Sequence, residues 1–249
     1  MSGHSKWATI KHQKGAKDKA RGKLFAKLIR QIEVAARAGG GDMESNATLR
    51  TMFTKARSSS VPIDTIEKAI KRGTGELEGV NYEMIMYEGY GSAGVAILVD
   101  VLSDNRNRTG AEIRSIFSKA GGSMAEPGAV AWQFKRSGVV TVPMTFSEDD
   151  VMMTAIEAGA DDIDNDGEFW RVLCDPSVTM AVKDALEAAE FTVDSADLAM
   201  VPSNTIEVDN VEDAKKILRL MDLLDDHDDV QDVYTNFDIP ELIMDMVEV

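Results

Sequence analysis

The sequence has 249 residues, 27 Lys+Arg against 43 Asp+Glu, a formal net charge of −16 and 44% hydrophobic residues. These proportions exclude a disordered, collagenous or low-complexity chain, and the length allows two or three domains with cores of their own. A single cysteine, Cys174, excludes an internal disulfide framework and a thiolate zinc site and fits a reducing compartment, and apolar runs as short as 95–99 exclude a membrane helix.

The charge is uneven along the chain. Residues 1–72 hold 16 Lys+Arg and 6 Asp+Glu, a local charge of +10, whereas residues 73–249 carry a local charge of −26. Lys6, Lys11, Lys14, Lys17, Lys19, Arg21, Lys23, Lys27 and Arg30 stand among the first 30 residues against one acid, Asp18. Such a pole either points at a polyanion or is a solvated face; its density favours phosphate, whose condensed counterions would be released on binding. Trp7 and His12, set among the lysines, suit stacking on unpaired bases.

From residue 2 to 22 there is no apolar stripe, which predicts a basic arm. Leu24, Leu28, Ile32 and Ala35 then recur at helical spacing, and Gly39, Gly40 and Gly41 stop that helix. Asn46 suits the N-cap of a second helix that turns Leu49, Met52, Phe53 and Ala56 inward. Pro62 suits the first turn of a third, with Ile63, Ile66 and Ile70 inward and Gly73 at its end. Lys55, Arg57, Lys68, Lys71 and Arg72 lie mainly off these stripes and are expected to face solvent as part of one positive face.

Beyond the link at 73–79 the pattern turns β-rich. Strands are predicted at 94–102 and 129–134, with a helix at 111–120 between them. Residues 135–202 then read close to β-α-β-β-α-β, the split βαβ signature of a ferredoxin-like sandwich, with strands at 138–142, 168–174 and 191–201 and helices at 148–158 and 176–189. The tail adds a strand near 205–208, a helix at 211–224 and a strand at 230–237. The expected fold class is therefore α+β: a basic arm and three-helix domain (1–76), a discontinuous α/β sandwich (77–134 plus 203–249), and a second, ferredoxin-like sandwich (135–202) inserted in it.

Several strings imitate chemistry. Gly89-Tyr90-Gly91-Ser92-Ala93-Gly94 fits G-x-G-x-x-G, but a strand rather than a helix follows it, so a glycine turn is the better reading. Asp162-x-Asp164-x-Asp166-Gly167 starts like an EF-hand loop, yet Leu173 occupies the position of the bidentate Glu. Asp225, Asp226, His227, Asp228 and Asp229 read as a solvated helix-to-strand loop rather than a hard-cation site, and no nucleophile has a base beside it in sequence. No catalytic site, cofactor or metal is expected. Arg106 and Arg108 stand at a helix start, where Thr109 and Glu112 fit a capping box. They either pair with carboxylates of their own domain or supply a secondary phosphate contact.

The strings Gly3-His4-Ser5-Lys6-Trp7, Ile10-Lys11-His12, Arg21-Gly22-Lys23, Ala35-Ala36-Arg37-Ala38-Gly39-Gly40, Tyr87-Glu88-Gly89-Tyr90-Gly91, Asp104-Asn105-Arg106-Asn107-Arg108-Thr109 and Asp229-Val230-Gln231-Asp232-Val233-Tyr234-Thr235-Asn236-Phe237 together resemble the YebC family. That family includes bacterial transcription regulators such as PmpR and the mitochondrial translational activator of cytochrome oxidase subunit one. The likeness starts at Met1, so the arm is expected in the mature protein rather than as a transit peptide. Met43-Glu44 replaces a usual Asp-Pro pair, and Ser92 stands where Pro often follows Gly-Tyr-Gly; both fall in turns.

The resemblance implies a three-domain, non-enzymatic, cytoplasmic protein whose arm touches nucleic acid. The expected function is a DNA-binding transcriptional regulator; the alternative is a ribosome- or rRNA-associated factor that eases synthesis of proline-rich stretches. The acidic domains would face ribosomal or other basic proteins, and no membrane is expected as a partner. A third reading has the arm contact only the chain's own acidic lobes.

Overall fold

The computed structural model describes residues 17–247, with side chains from residue 22. Helix α1 (Lys17–Gly39) runs further toward the N terminus than its apolar stripe: 17–22 is helical although its sequence carries no such stripe, since Lys and Ala are strong helix formers. Along α1, Leu28, Ile32, Ala35 and Ala36 are buried, while Leu24, expected inward, is exposed one turn beyond the core. Helix α2 (Ala47–Ser58) starts at Asn46, whose Oδ1 accepts from the Leu49 N–H as its sequence predicts. Helix α3 (Ile63–Thr74) turns Ile66 and Ala69 inward and leaves Ile63 exposed. Burying Leu28, Ile32, Leu49 and Ile66 contributes roughly 1.5–3 kcal/mol each.

Gly73 does not end α3. It lies inside the helix against α1, where a Cβ would stand 2.5 Å from the Glu33 carbonyl oxygen; Gly75, at φ +85°, makes the left-handed stop.

The first sheet has the order β3-β1-β2-β9, from β1 (Glu83–Tyr90), β2 (Ala96–Ser103), β3 (Ser123–Met124) and β9 (Val230–Thr235), all neighbours antiparallel. Helices α4 (Arg106–Lys119) and α7 (Val211–Asp225) cover one face, burying Ile97, Val99, Phe117, Ile217 and Leu220 among others. The second sheet has the order β5-β6-β4-β7, from β4 (Phe134–Pro143), β5 (Ala160–Asn165), β6 (Phe169–Cys174) and β7 (Ser195–Pro202), with α5 (Glu148–Glu157) and α6 (Thr179–Ala188) on it. That is the strand order of a ferredoxin-like sandwich. The first sheet repeats the arrangement in space, except that β1 arrives from upstream instead of after β3. The parallel pair β8 (Ile206–Glu207) and β10 (Phe237–Asp238) and helix α8 (Glu241–Val247) close the chain around α7.

The uncovered face of the first sheet meets the second through Leu98, Ala96, Val130 and Phe134, with Tyr90, Met200 and Tyr234 around them. Elsewhere close packing of elements stays within each unit, so α1–α3 have their own core and touch the body mainly by side chains.

Three local expectations are corrected. Of the strand expected at 129–134, only Phe134 is strand, as the first residue of β4: Glu88, buried in β1, accepts backbone N–H bonds from Gly128, Val130 and Ala131 and folds 128–133 into a loop with a 3₁₀ turn at Ala131–Gln133. Burial acts against that carboxylate, but the three N–H groups outweigh it and hold its pKa low. Asn105, not Thr109, caps α4, accepting from the Arg108 N–H. The Asp162–Asp164–Asp166 string, expected as a polar loop between a helix and a strand, is in part strand: Asp162 and Asp164 belong to edge strand β5, where Asp164 pairs with Arg171 at 3.5 Å.

Candidate functional site

The basic face of α1 and the acidic turn after α7 form one seam. Lys23, Lys27 and Arg30 recur at i, i+4 and i+7, which puts them on one side of a helix. The Lys23 ammonium donates to the Asp226 carbonyl at 2.6 Å and to the Asp226 carboxylate. Lys27 donates to the Asp225 carboxylate at 3.3 Å. Arg30 donates to the Asp228 carbonyl at 2.6 Å and the Asp229 carboxylate at 3.1 Å, and its guanidinium lies 5.6 Å from the Tyr82 ring centroid.

Asp229 is the centre of this network. It is buried, and besides Arg30 it accepts from Arg108 at 2.8 Å and from the Thr109 hydroxyl at 2.7 Å. Burial raises its pKa, but the Thr109 and Arg108 hydrogen bonds and the Arg30 charge prevail and lower it. Arg108 also binds Asp104 at 2.8 Å, and Arg106 binds Glu83 at 2.8 Å. Of the two readings of these arginines, the carboxylate-paired geometry is the one present. Two cations at a helix start oppose its dipole, and these carboxylates offset that cost.

Across the rest of the helical unit, Arg72 binds the buried Glu33 at 3.0 Å and so leaves the expected positive face. Lys55 reaches Asp197 of β7 at 2.7 Å. Arg57, Lys68 and Lys71 are exposed and have no ion pair among the described residues. Lys6, Trp7, Lys11, His12 and Lys14 lie outside the described residues; Lys17, Lys19 and Arg21 lie on the first turns of α1, and their side chains are outside the description.

A second acidic feature lies under this seam. Asp100 of β2 and Asp232 of β9 are cross-strand partners, like charges side by side. Burial and the Asp232 charge push the Asp100 pKa up to about 6. The Asp232 pKa is raised by desolvation, with Lys55 and Lys27 opposing.

Sequence reasoning missed Asp229, Glu33 and Asp197 as partners of the cations. The 225–229 acidic run was the available signal, but nothing local says that it faces α1. Among the described residues Glu112, His227 and Asp229 bring ligand-type atoms within 4.8 Å of one another. The His227 ring already bonds Glu112 through Nε2 at 2.9 Å and accepts from the Asp229 N–H through Nδ1. With Arg30 and Arg108 on Asp229, the spot opposes an added cation. No helix among the described residues is long and apolar enough to cross a membrane.

Residues 5–76 match the family pattern described as the TACO1/YebC protein N-terminal domain, and residues 82–237 match the TACO1/YebC second and third domain. A "probable transcriptional regulatory protein" of Halothermothrix orenii is 53% identical over 250 residues, covering 99% of each chain. Proteins of the same description from Acidithiobacillus ferrooxidans (53% identity, 100% of this chain and 99% of that one) and Geobacter sulfurreducens (51%, 96% of each) also match. The crystal structure of a conserved hypothetical protein from Aquifex aeolicus is similar with a TM-score of 0.83 at 42% identity, over 90% of this chain and 93% of that one.

Proposed function

The chain belongs to the TACO1/YebC family, and we propose that it is a non-enzymatic, cytoplasmic regulator of gene expression that binds DNA and acts on transcription. The observation that carries this reading is the charge polarity: +10 on residues 1–72 against −26 on the remainder. Lys6, Lys11, Lys14, Lys17, Lys19 and Arg21 supply phosphate contacts, and Trp7 and His12 supply stacking where bases are unpaired. Arg57, Lys68 and Lys71 extend the contact, because their charges are not spent on carboxylates of the described chain. The acidic sheets repel phosphate and keep the polymer at one pole, leaving their own surface for basic protein partners. The names of the relatives support transcription as the process.

The test is titration of the full chain with duplex DNA and with ribosomal RNA fragments at 50 and 200 mM salt. DNA binding is expected to fall by roughly 10³-fold or more between the two if six or more phosphates are neutralised. Replacing Lys6, Lys11, Lys14, Lys17, Lys19 and Arg21 with Gln should abolish it. Undiminished binding would remove the interface, and binding confined to the RNA would transfer the activity to the ribosome.

A further inference from the structure

The three cations of α1 that a nucleic acid would meet next after the basic segment are already taken by an internal imitation of its backbone. Lys23, Lys27 and Arg30 face a row of oxygens from Asp225, Asp226, Asp228 and Asp229, carboxylates mixed with main-chain carbonyls. Seven residues of helix place them over about 10 Å, the reach of three or four successive phosphates on one strand at about 3.4 Å of rise each. Lys23 and Arg30 open onto a polar hollow of about 780 Å³ that also borders Tyr82, Arg108 and His227.

The joint behind this row is not sealed by apolar packing. Where α1 and α2 approach β1 and β2, a cavity of about 390 Å³ remains, lined by Val34, Ala35, Ala38, Met52, Met84 and Leu102. Pairs such as Lys23–Asp226, whose carboxylate is 65% exposed, are individually weak and screened by salt. Asp229, buried and held by Thr109 and Arg108, stays with the body whatever happens at α1.

We infer that the 225–229 loop masks a phosphate-binding face of α1, and that nucleic acid displaces the loop and engages Lys23, Lys27 and Arg30. This rests on the proposed nucleic-acid binding and adds its control: the body competes with the ligand for one set of cations. Binding is thereby coupled to parting of the helical unit from the first sheet.

The experiment compares DNA affinity of the full chain with that of a variant carrying Asp225→Asn, Asp226→Asn and Asp228→Asn. A control carries Glu148→Gln, Asp149→Asn and Asp150→Asn at the exposed start of α5, with the same change in net charge. The loop variant should bind roughly tenfold tighter, with a salt slope steeper by about 2–3, and the control should change by less than about threefold. Adding Lys23→Gln, Lys27→Gln and Arg30→Gln to the loop variant should erase the gain. If the triple loop variant does not fold, Asp226→Asn alone should still give about a twofold gain. Equal gains in loop and control variants, or a gain that survives loss of the three cations, would overturn the mask while leaving the proposed function intact. Failure of the unmodified chain to bind DNA or RNA at 50 mM salt would overturn both.

Discussion

Where α1 meets the 225–229 loop, the contact consists of ammonium, guanidinium and carboxylate groups, most of them partly exposed. Where the two sheets meet, it consists of Leu98, Ala96, Val130 and Phe134 with almost no access to solvent. Charged pairs lose strength in salt and can exchange one anion for another; buried apolar surface does neither. The difference divides the molecule into a body built as one piece and a helical unit attached to it by replaceable partners.

Substitutions can test that division, beginning with the largest effect. Leu98→Ala should destabilise the joined sheets by about 3 kcal/mol, since it removes a fully buried side chain at the joint. Thermal unfolding followed by near-UV circular dichroism should show the same loss at 50 and 500 mM salt; a loss that shrinks with salt would mean that this joint is electrostatic after all.

Asp100→Asn is expected next in size, with the opposite sign. Folding raises the Asp100 pKa from 3.8 to about 6, so the native state binds this proton more tightly than the unfolded chain does. The stability it contributes is fully present below about pH 4 and is lost as pH rises through 6. Asn carries no charge, so the variant should be about 1–2 kcal/mol more stable at pH 7, with no advantage left at pH 4. Urea unfolding at the two pH values measures this, and equal gains at both would rule out the carboxylate as the cause. Lys55→Gln is expected to be the smallest, within about 0.5 kcal/mol, because its bond to Asp197 is half-exposed. A loss above about 2 kcal/mol would show that the ionic attachment is stronger than an exposed ion pair provides.

The helical unit was largely legible in the sequence because its information is local. Apolar spacing gives Leu28, Ile32 and Ile66, and Asn46 declares its cap within three residues. The second sandwich was legible for the same reason, except β5, whose Ala-Asp-Asp-Ile-Asp-Asn lacks the apolar alternation of a strand because it is an edge. Strand β1 was hidden by Met84 and Met86, both exposed, and by glycines that read as a turn. The loop at 126–131 depends on Glu88, some 40 residues away, and no periodicity reports such a bond.

At the candidate site, the sequence shows where positive charge lies but not what neutralises it. Lys23 and Asp226 are separated by 203 residues, and Arg30 and Asp229 by 199. The arginines of the 104–109 string illustrate the same limit: their positions were plain, whereas their partners depended on the return of the tail.

The return of the tail also sets a timetable for a chain growing from its N terminus. Every strand of the second sheet has been made by residue 202, whereas β2 must wait until residues 230–235 for its edge partner. The nested unit can therefore close while its host is still open, and the host completes last. The turn that covers α1 emerges just before that final strand, so during synthesis the newborn helix carries its lysines bare for some 200 residues. A message cut short before codon 225 would yield a product with that helix permanently uncapped by acid.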